Sequence, residues 1–188
     1  MRVLAQRSLS SAGSACHMPT SVSITFLSLG RSASLTILPR LVGTQSNIAM
    51  ACDLLGRKEE SLGVYRKIYA KAVELHGKSD ERSFTATVNL SSCLHNGGHF
   101  TEAIALLRQG IPEAKNALGA EHPLTLSLCH ALAQCLCDEH GASPEQIREA
   151  VALLESTLRT SQRVFGRAHP TTKGLERDLA IARRLKQR

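Results

Sequence analysis

Apolar positions in the second half of the chain recur at the spacing of an α-helix. In one stretch the intervals alternate between three and four residues, through Ile104, Leu107, Ile111, Ala114 and Leu118. The same intervals return farther on, through Ile147, Val151, Leu154 and Leu158. Side chains at these intervals lie on one face of a helix. The pattern therefore predicts two amphipathic helices, each with one face in a core.

The residues that flank these helices indicate where they begin and end. The stretch "SPEQ" places a capping Ser143 before a proline and puts Gln146 at the third helical position, which is typical of a helix N-terminus. The segment "SFTATVNLSSCLHN", which precedes the first stripe, is followed by Gly97 and Gly98. A glycine pair of this kind is typical of a stop between two helices.

Two residues inside the first stripe do not favour a helix. They are Gly110 and Pro112, and an interior proline removes one backbone hydrogen bond and costs about 3 kcal/mol. We expect a kink there. The helix should nevertheless continue, because Ala114 and Leu118 keep the apolar stripe.

Both helices belong to a longer internal repeat. A shift of 42 residues places 47–49 on 89–91 and then on 131–133, three triplets that read "NIA", "NLS" and "ALA". The next shift is 47 residues and leads to 178–180, because five extra residues lie within "DEHGASPEQ". Several landmarks agree on one offset and one insertion. The sequence therefore predicts a repeated unit that consists of two helices.

The connection between units is repeated as well. The stretch "LGAEHPLTLSL" returns as "FGRAHPTTKGL", so that Gly119 and His122 correspond to Gly166 and His169. The glycine is typical of a helix end, and the proline after each histidine is typical of the first helical turn. We therefore interpret both histidines as boundary residues that contact freed backbone groups, not as catalytic residues.

The repeated landmarks resemble the 42-residue tetratricopeptide (TPR) repeats of kinesin light chains and nephrocystin-like proteins. They are Asn89-Leu90-Ser91, Gly97, Glu102-Ala103, Leu107 and the stretch "LGAEHPLT" that begins at Leu118. The resemblance implies an all-α fold, a right-handed TPR solenoid of about three helix-turn-helix units with a C-terminal capping helix. It implies units at 39–80, 81–122 and 123–169 and a final helix at 170–188.

The resemblance also implies where a partner binds. The first helices of the units line the concave side of a TPR array, and an Asn before the Leu-Ala pair commonly hydrogen-bonds the backbone of an extended peptide. Asn47 and Asn89 hold that position, and an amide can both donate and accept. The neighbouring positions expected to face the same way are Thr85, Ser92, Asn96, Ser127 and Gln134. The alternative is that the two asparagines only satisfy adjacent helix ends.

Charge and composition divide the chain in two. Residues 1–52 contain four Arg and no Lys, Asp or Glu, whereas the remainder carries 19 basic and 16 acidic side chains. Residues 1–38 are rich in Ser and Arg and free of acids, which is typical of an organelle transit peptide or of a disordered tail. Their longest apolar stretch, "ITFLSLG", is too short to span a membrane. We expect an intracellular protein, cytoplasmic or in an organelle, without membrane insertion.

One segment has the residue types of a metal site. The stretch "CHALAQCLCDEH" contains Cys129, His130, Cys135, Cys137 and His140. On a helix Cys135 and Cys137 point about 200° apart, whereas a closed zinc site needs four convergent ligands. The repeat position of Cys135 is also small in the other units. We therefore interpret the cysteines as reduced core residues and predict no metal and no other cofactor.

The sequence contains no nucleophile elbow, no H-E-x-x-H and no Gly-rich phosphate loop. We predict a non-enzymatic scaffold that binds a protein or peptide on its concave face. The basic surplus favours an acidic partner. Small molecules are disfavoured as ligands, and a hydrolase or metal enzyme would require a convergent site that the repeats hide.

The alternative function is that of an organelle RNA-binding helical repeat protein. It requires basic residues that recur at one concave position of each unit. The asparagine position instead reads Asn, Asn, Ala and Asp along the chain. The alanine, Ala131, also argues against a clamp for terminal carboxylates. The pattern therefore disfavours nucleic acid as a partner.

Overall fold

The computed structural model describes residues 49, 51–52, 55–138 and 142–187, which are helical or lie in short connections, without any strand. The helices are α1 (Lys58–His76), α2 (Glu81–Asn96), α3 (Phe100–Leu118), α4 (Pro123–Asp138), α5 (Pro144–Phe165) and α6 (Pro170–Lys186). The expected all-α fold is confirmed for this part of the chain. The transit-like segment at 1–38, Asn47 and His140 lie outside the described residues.

The helices form two layers. Each helix packs on its neighbours in sequence, and in addition α2 packs on α4 and α4 packs on α6. The second helices α1, α3 and α5 form the other layer. Ion pairs between long side chains connect them, Arg66 with Glu102 and Arg108 with Glu149, both at 2.7 Å. The two pairs hold equivalent repeat positions. The closer packing of α2, α4 and α6 makes them the inner, concave layer of the solenoid.

The core lies between the two layers. Its fully buried side chains include Leu94, Leu107, Leu128, Leu136 and Leu154. The stripe predicted for α3 is confirmed, because four of its five members are buried and the last, Leu118, is half-buried. The helix continues through Pro112. Burying one aliphatic side chain stabilises a fold by roughly 1.5–3 kcal/mol, so the repeated leucines supply the main stabilisation.

Each connection between units uses the same two devices. The glycine that ends the preceding helix has a positive φ, which an L side chain rarely adopts. Its carbonyl then accepts a hydrogen bond from a hydroxyl six residues later. The pairs are Ser83 to Gly77 at 2.6 Å, Thr125 to Gly119 at 2.8 Å and Thr172 to Gly166 at 2.9 Å. A hydroxyl in this position ties the start of one first helix to the end of the helix before it.

The second device is a side-chain cap at the equivalent residue of each connection. Asp80 accepts a hydrogen bond from the backbone N–H of Arg82 at 2.8 Å. In the same way Nδ1 of His122 accepts from Leu124 at 3.3 Å, and Nδ1 of His169 accepts from Thr171 at 3.2 Å. These bonds satisfy N–H groups that a helix start leaves unpaired. The structural role predicted for the two histidines is confirmed.

The predicted capping box at the start of α5 is also present. Ser143 Oγ accepts from the N–H of Gln146 at 3.2 Å, and the Gln146 side chain accepts from the N–H of Ser143 at 2.7 Å. We expect Ser143→Ala to lower the free energy of unfolding by about 1 kcal/mol, because one helix donor loses its partner. Urea unfolding followed by circular dichroism measures the loss. Ser156→Ala in the exposed middle of α5 is the control, and an equal loss in both variants would contradict the capping role.

Candidate functional site

The residues proposed for binding occupy one stripe of the first helices. On α2 the spacing of Thr85, Asn89, Ser92 and Asn96 is four, three and four residues, which keeps them on one helix face. Thr85, Ser92 and Asn96 are exposed, and Asn89 is half-buried. The same repeat positions in α4 are Ser127, Ala131, Gln134 and Asp138, and in α6 they are Gly174, Asp178, Ile181 and Leu185. We call these twelve positions the concave stripe.

Two hydroxyls of the stripe donate within their own helix. Thr85 Oγ1 donates to the carbonyl of Glu81 at 3.0 Å, and Ser127 Oγ donates to the carbonyl of Pro123 at 2.9 Å. These are equivalent bonds at equivalent positions. Each hydroxyl therefore keeps its lone pairs for an incoming N–H, while its own proton is used.

Two polar side chains in the middle of α2 are not used by the described part of the chain. The side chains of Asn89 and Ser92 make no hydrogen bond to any residue of the described part of the chain. Between them they can donate and accept several hydrogen bonds to a main chain. At the end of the helix the carbonyl of Asn96 accepts from Lys58 Nζ at 2.7 Å, and Asn96 borders an open hollow beside Gly97 and Gly98.

The stripe of α4 is joined to α6 by a residue that the sequence analysis did not select. Asp178 Oδ2 accepts from His130 Nε2 at 2.6 Å and from Gln134 Nε2 at 2.8 Å. Asp178 and His130 are 21% and 20% exposed in their side chains, so the contact is shielded from solvent on most sides. Gln134 is therefore held by the protein itself. The sequence signal for Asp178 was the aspartate in the fourth unit at the repeat position that reads Asn, Asn, Ala and Asp along the chain.

The structure also locates the cysteines of "CHALAQCLCDEH". Cys129 and Cys135 are buried in the core, and Cys93 is buried at the repeat position of Cys135. Burial, followed by the nearby Asp138 and Asp178 carboxylates, raises the pKa of Cys137 to about 11. Such a thiol stays protonated at neutral pH, whereas metal ligation and nucleophilic attack need the thiolate. Within the described residues no group of three metal-ligating side chains comes together.

The hollows along the concave stripe are small or widely open. One of about 80 Å³ lies between α4 and α6, beside Gln134, Asp178 and Ile181. A pocket for a drug-sized molecule needs roughly 300–1,000 Å³, so this hollow can take no more than a side chain. The larger hollow next to Asn96 has about 520 Å³ but faces solvent. No described helix is long and apolar enough to cross a lipid bilayer.

Comparison with known proteins agrees with this architecture. The profile of the tetratrico peptide repeat family matches residues 45–168, which is more than half of the chain. A crystal structure of nearly identical TPR-like repeats, from a Podosopora anserina protein assigned as a kinesin light chain, aligns with 77% of this chain. The TM-score is 0.68 and the identity is 23%, and the chain spans 66% of that structure, just under two thirds.

A second crystal structure, of a variant of those Podosopora anserina repeats, aligns with 79% of this chain and 88% of its own length. Its TM-score is 0.50 and its identity is 18%, so the likeness concerns the fold alone. No curated protein matches the sequence. The family match and the helical solenoid together show that this chain belongs to the tetratrico peptide repeat family, whose members are typically non-enzymatic protein-interaction scaffolds.

Proposed function

We propose that the chain binds an extended segment of a partner protein along the concave stripe. The observation that carries the proposal is the polar, uncharged stripe of α2, in which Asn89 and Ser92 have no hydrogen-bond partner among the described residues. An extended peptide presents one N–H and one C=O per residue, and a carboxamide matches both. Asn47 shares the repeat position of Asn89 and belongs to the same proposal.

The stripe changes character from α2 to α6. It is polar on α2, with Thr85 and Asn96 at its ends, and becomes apolar at the C-terminal end of α6, where Ile181 is 46% exposed and Leu185 is half-buried. A bound segment would therefore meet hydrogen-bonding groups at one end and apolar surface at the other. Main-chain hydrogen bonds give affinity in such a complex, and the apolar end selects a matching side chain.

The concave stripe does not favour RNA. None of its twelve positions in α2, α4 and α6 carries Lys or Arg. An RNA-binding repeat needs a recurring basic residue to neutralise phosphates. The one ionised position on α4 is Asp138, which would repel a phosphate. The expected acidic character of the partner also finds no complement on this stripe.

The proposal is tested with a peptide selected from a displayed library against the intact chain. We expect Asn89→Ala combined with Ser92→Ala to weaken binding about tenfold, because two neutral hydrogen bonds are lost. Fluorescence anisotropy of the selected peptide measures the change. Methylation of the peptide backbone nitrogens should weaken binding to the native chain and have less effect on the double variant.

The matched control removes the same groups from the second helices. Asn116 and Ser156 are exposed on α3 and α5, and their double alanine variant should bind the peptide as the native chain does. Equal losses in the two double variants would contradict the concave site. A selected peptide that binds both variants with native affinity would contradict it as well.

A further inference from the structure

Consecutive first helices are connected by pairs of the same kind. His95 Nε2 of α2 donates to Asp138 of α4 at 2.9 Å, and His130 Nε2 of α4 donates to Asp178 of α6 at 2.6 Å. In both pairs the earlier helix supplies the nitrogen base and the later helix supplies the carboxylate. The partners are 43 and 48 residues apart, one more than the local repeat of 42 or 47. The two contacts are therefore the same packing relation, used twice.

On α6 both of these positions are occupied by arginine. The repeat places Arg184 at the position of His95, and Arg177 at the position of His130. Both guanidinium groups lie on exposed residues and have no ionic partner in the described part of the chain. The two residues are seven apart, which keeps them on one face of the helix.

The face of α6 that carries the two arginines is exposed at other positions too, whereas the equivalent positions of α2 and α4 are buried. Lys173 is exposed, whereas the equivalent residues, Phe84 in α2 and Leu126 in α4, are buried. Ala180, also exposed, lies between the basic residues. The third arginine of α6, Arg183, points elsewhere and pairs with Glu155 at 2.8 Å. This face of α6 points away from α4, and we call it the outer face of α6. It thus carries positive charge that no described residue neutralises.

We propose that this outer face, formed by Lys173, Arg177, Ala180 and Arg184, binds an acidic helix of a partner protein. The bound helix packs on α6 in the way that α4 packs on α2 and α6 packs on α4. In the earlier helices the carboxylates lie at the repeat positions of Asp138 and Asp178. Within one unit these two positions are seven residues apart, as Asp178 and Leu185 are in α6. The same packing relation requires carboxylates at both positions of the bound helix. The expected ligand is therefore an α-helix with Asp or Glu at i and i+7.

A second copy of this chain does not meet that requirement. The two positions are held by Asn89 and Asn96 in α2, by Ala131 and Asp138 in α4, and by Asp178 and Leu185 in α6. None of these helices presents two carboxylates. Moreover, the two acids that do occur are already bonded to histidines within the chain. The observed charges therefore favour a different protein as the partner.

The probe for this surface is a stapled, alanine-based helix of about three heptads with two aspartates seven residues apart. A peptide of the same composition with the aspartates five residues apart is the control, because that spacing puts them about 140° apart on the helix. We expect the i, i+7 peptide to bind the intact chain with a Kd below about 1 mM, and about tenfold more tightly than the control. Its affinity should fall with added salt.

The variant Arg177→Glu combined with Arg184→Glu should reduce the affinity for the i, i+7 peptide about tenfold or more, because attraction becomes repulsion. Lys67→Glu combined with Lys78→Glu makes the same change of charge on exposed residues far from α6 and should leave the affinity within about twofold. The proposal would be overturned if the two variants lost the same affinity or if the two peptides bound equally well. It would also be overturned if the i, i+7 peptide did not bind at about 1 mM, the weakest affinity expected.

Self-association of the chain that disappears in the Arg177→Glu and Arg184→Glu variant would also overturn it, because the occupant would then be a second copy. The surface is separate from the concave stripe. The variant with Asn89→Ala and Ser92→Ala should therefore bind the acidic helix normally, so that either proposal can fail without the other.

Discussion

Phe84→Ala is expected to lower the free energy of unfolding by about 3–5 kcal/mol, the range for removing a buried aromatic side chain. Phe84 is 1% exposed and lies among Tyr69 and Val73 of α1 and Leu106 and Gly110 of α3. Its ring therefore joins three helices from two successive units. The adjoining hollow is only about 10 Å³, so the surroundings are already closely packed and the new cavity cannot collapse without moving a helix.

Urea unfolding followed by circular dichroism measures this loss, and the repeat supplies the control. Lys173 holds the position of Phe84 in α6 but is exposed, so Lys173→Ala should change the stability by no more than about 0.5 kcal/mol. The comparison shows whether the loss of stability depends on the burial of the side chain or on its position in the repeat. If Lys173→Ala lowered the free energy of unfolding as much as is expected for Phe84→Ala, the outer face of α6 would be packed and not available to a partner.

Asp178→Ala is expected to cost about 1–3 kcal/mol, because two donors lose their acceptor in a shielded site. The donors are His130 Nε2 at 2.6 Å and Gln134 Nε2 at 2.8 Å. They tie α4 to α6, so the loss should appear first at the C-terminal end of the solenoid. Hydrogen exchange should show faster opening of α6 than of α2, in addition to the lower overall stability.

A less shielded pair of the same kind is the control for this second substitution. Asp138 accepts from His95 at 2.9 Å, but its side chain is 54% exposed, so Asp138→Ala should cost less than about 1 kcal/mol. Asp178→Asn keeps one acceptor oxygen and should give an intermediate loss. If the two alanine variants are equally stable, burial of the Asp178 contact does not contribute to the fold.

Most of the fold follows from periodicity. The apolar stripe of α3, the capping box at Ser143 and the capping histidines His122 and His169 are local features, because they depend on residues within one or two helical turns. The internal repeat then extends these local features along the chain. Even Pro112, which disfavours a helix by itself, lies within a continuous α3 because the core face on both sides of it is buried.

The candidate site is predictable in part for the same reason. The spacing of Thr85, Asn89, Ser92 and Asn96 already places them on one face of a helix, and the structure exposes that face. Sequence reasoning did not reveal that Gln134 is bonded to Asp178, 44 residues away. The repeat relates each residue to its equivalent in the next helix, but it does not say which residue of that helix it touches.

The sequence by itself determined the helices, their caps, the repeat and the identity of the stripe, because these depend on local hydrogen bonding and on the burial of periodic apolar faces. Only the tertiary structure decided the contacts between first helices, which advance by one residue beyond the repeat, as from His95 to Asp138. The tertiary structure also shows that the histidines equivalent to Arg177 and Arg184 are paired with carboxylates.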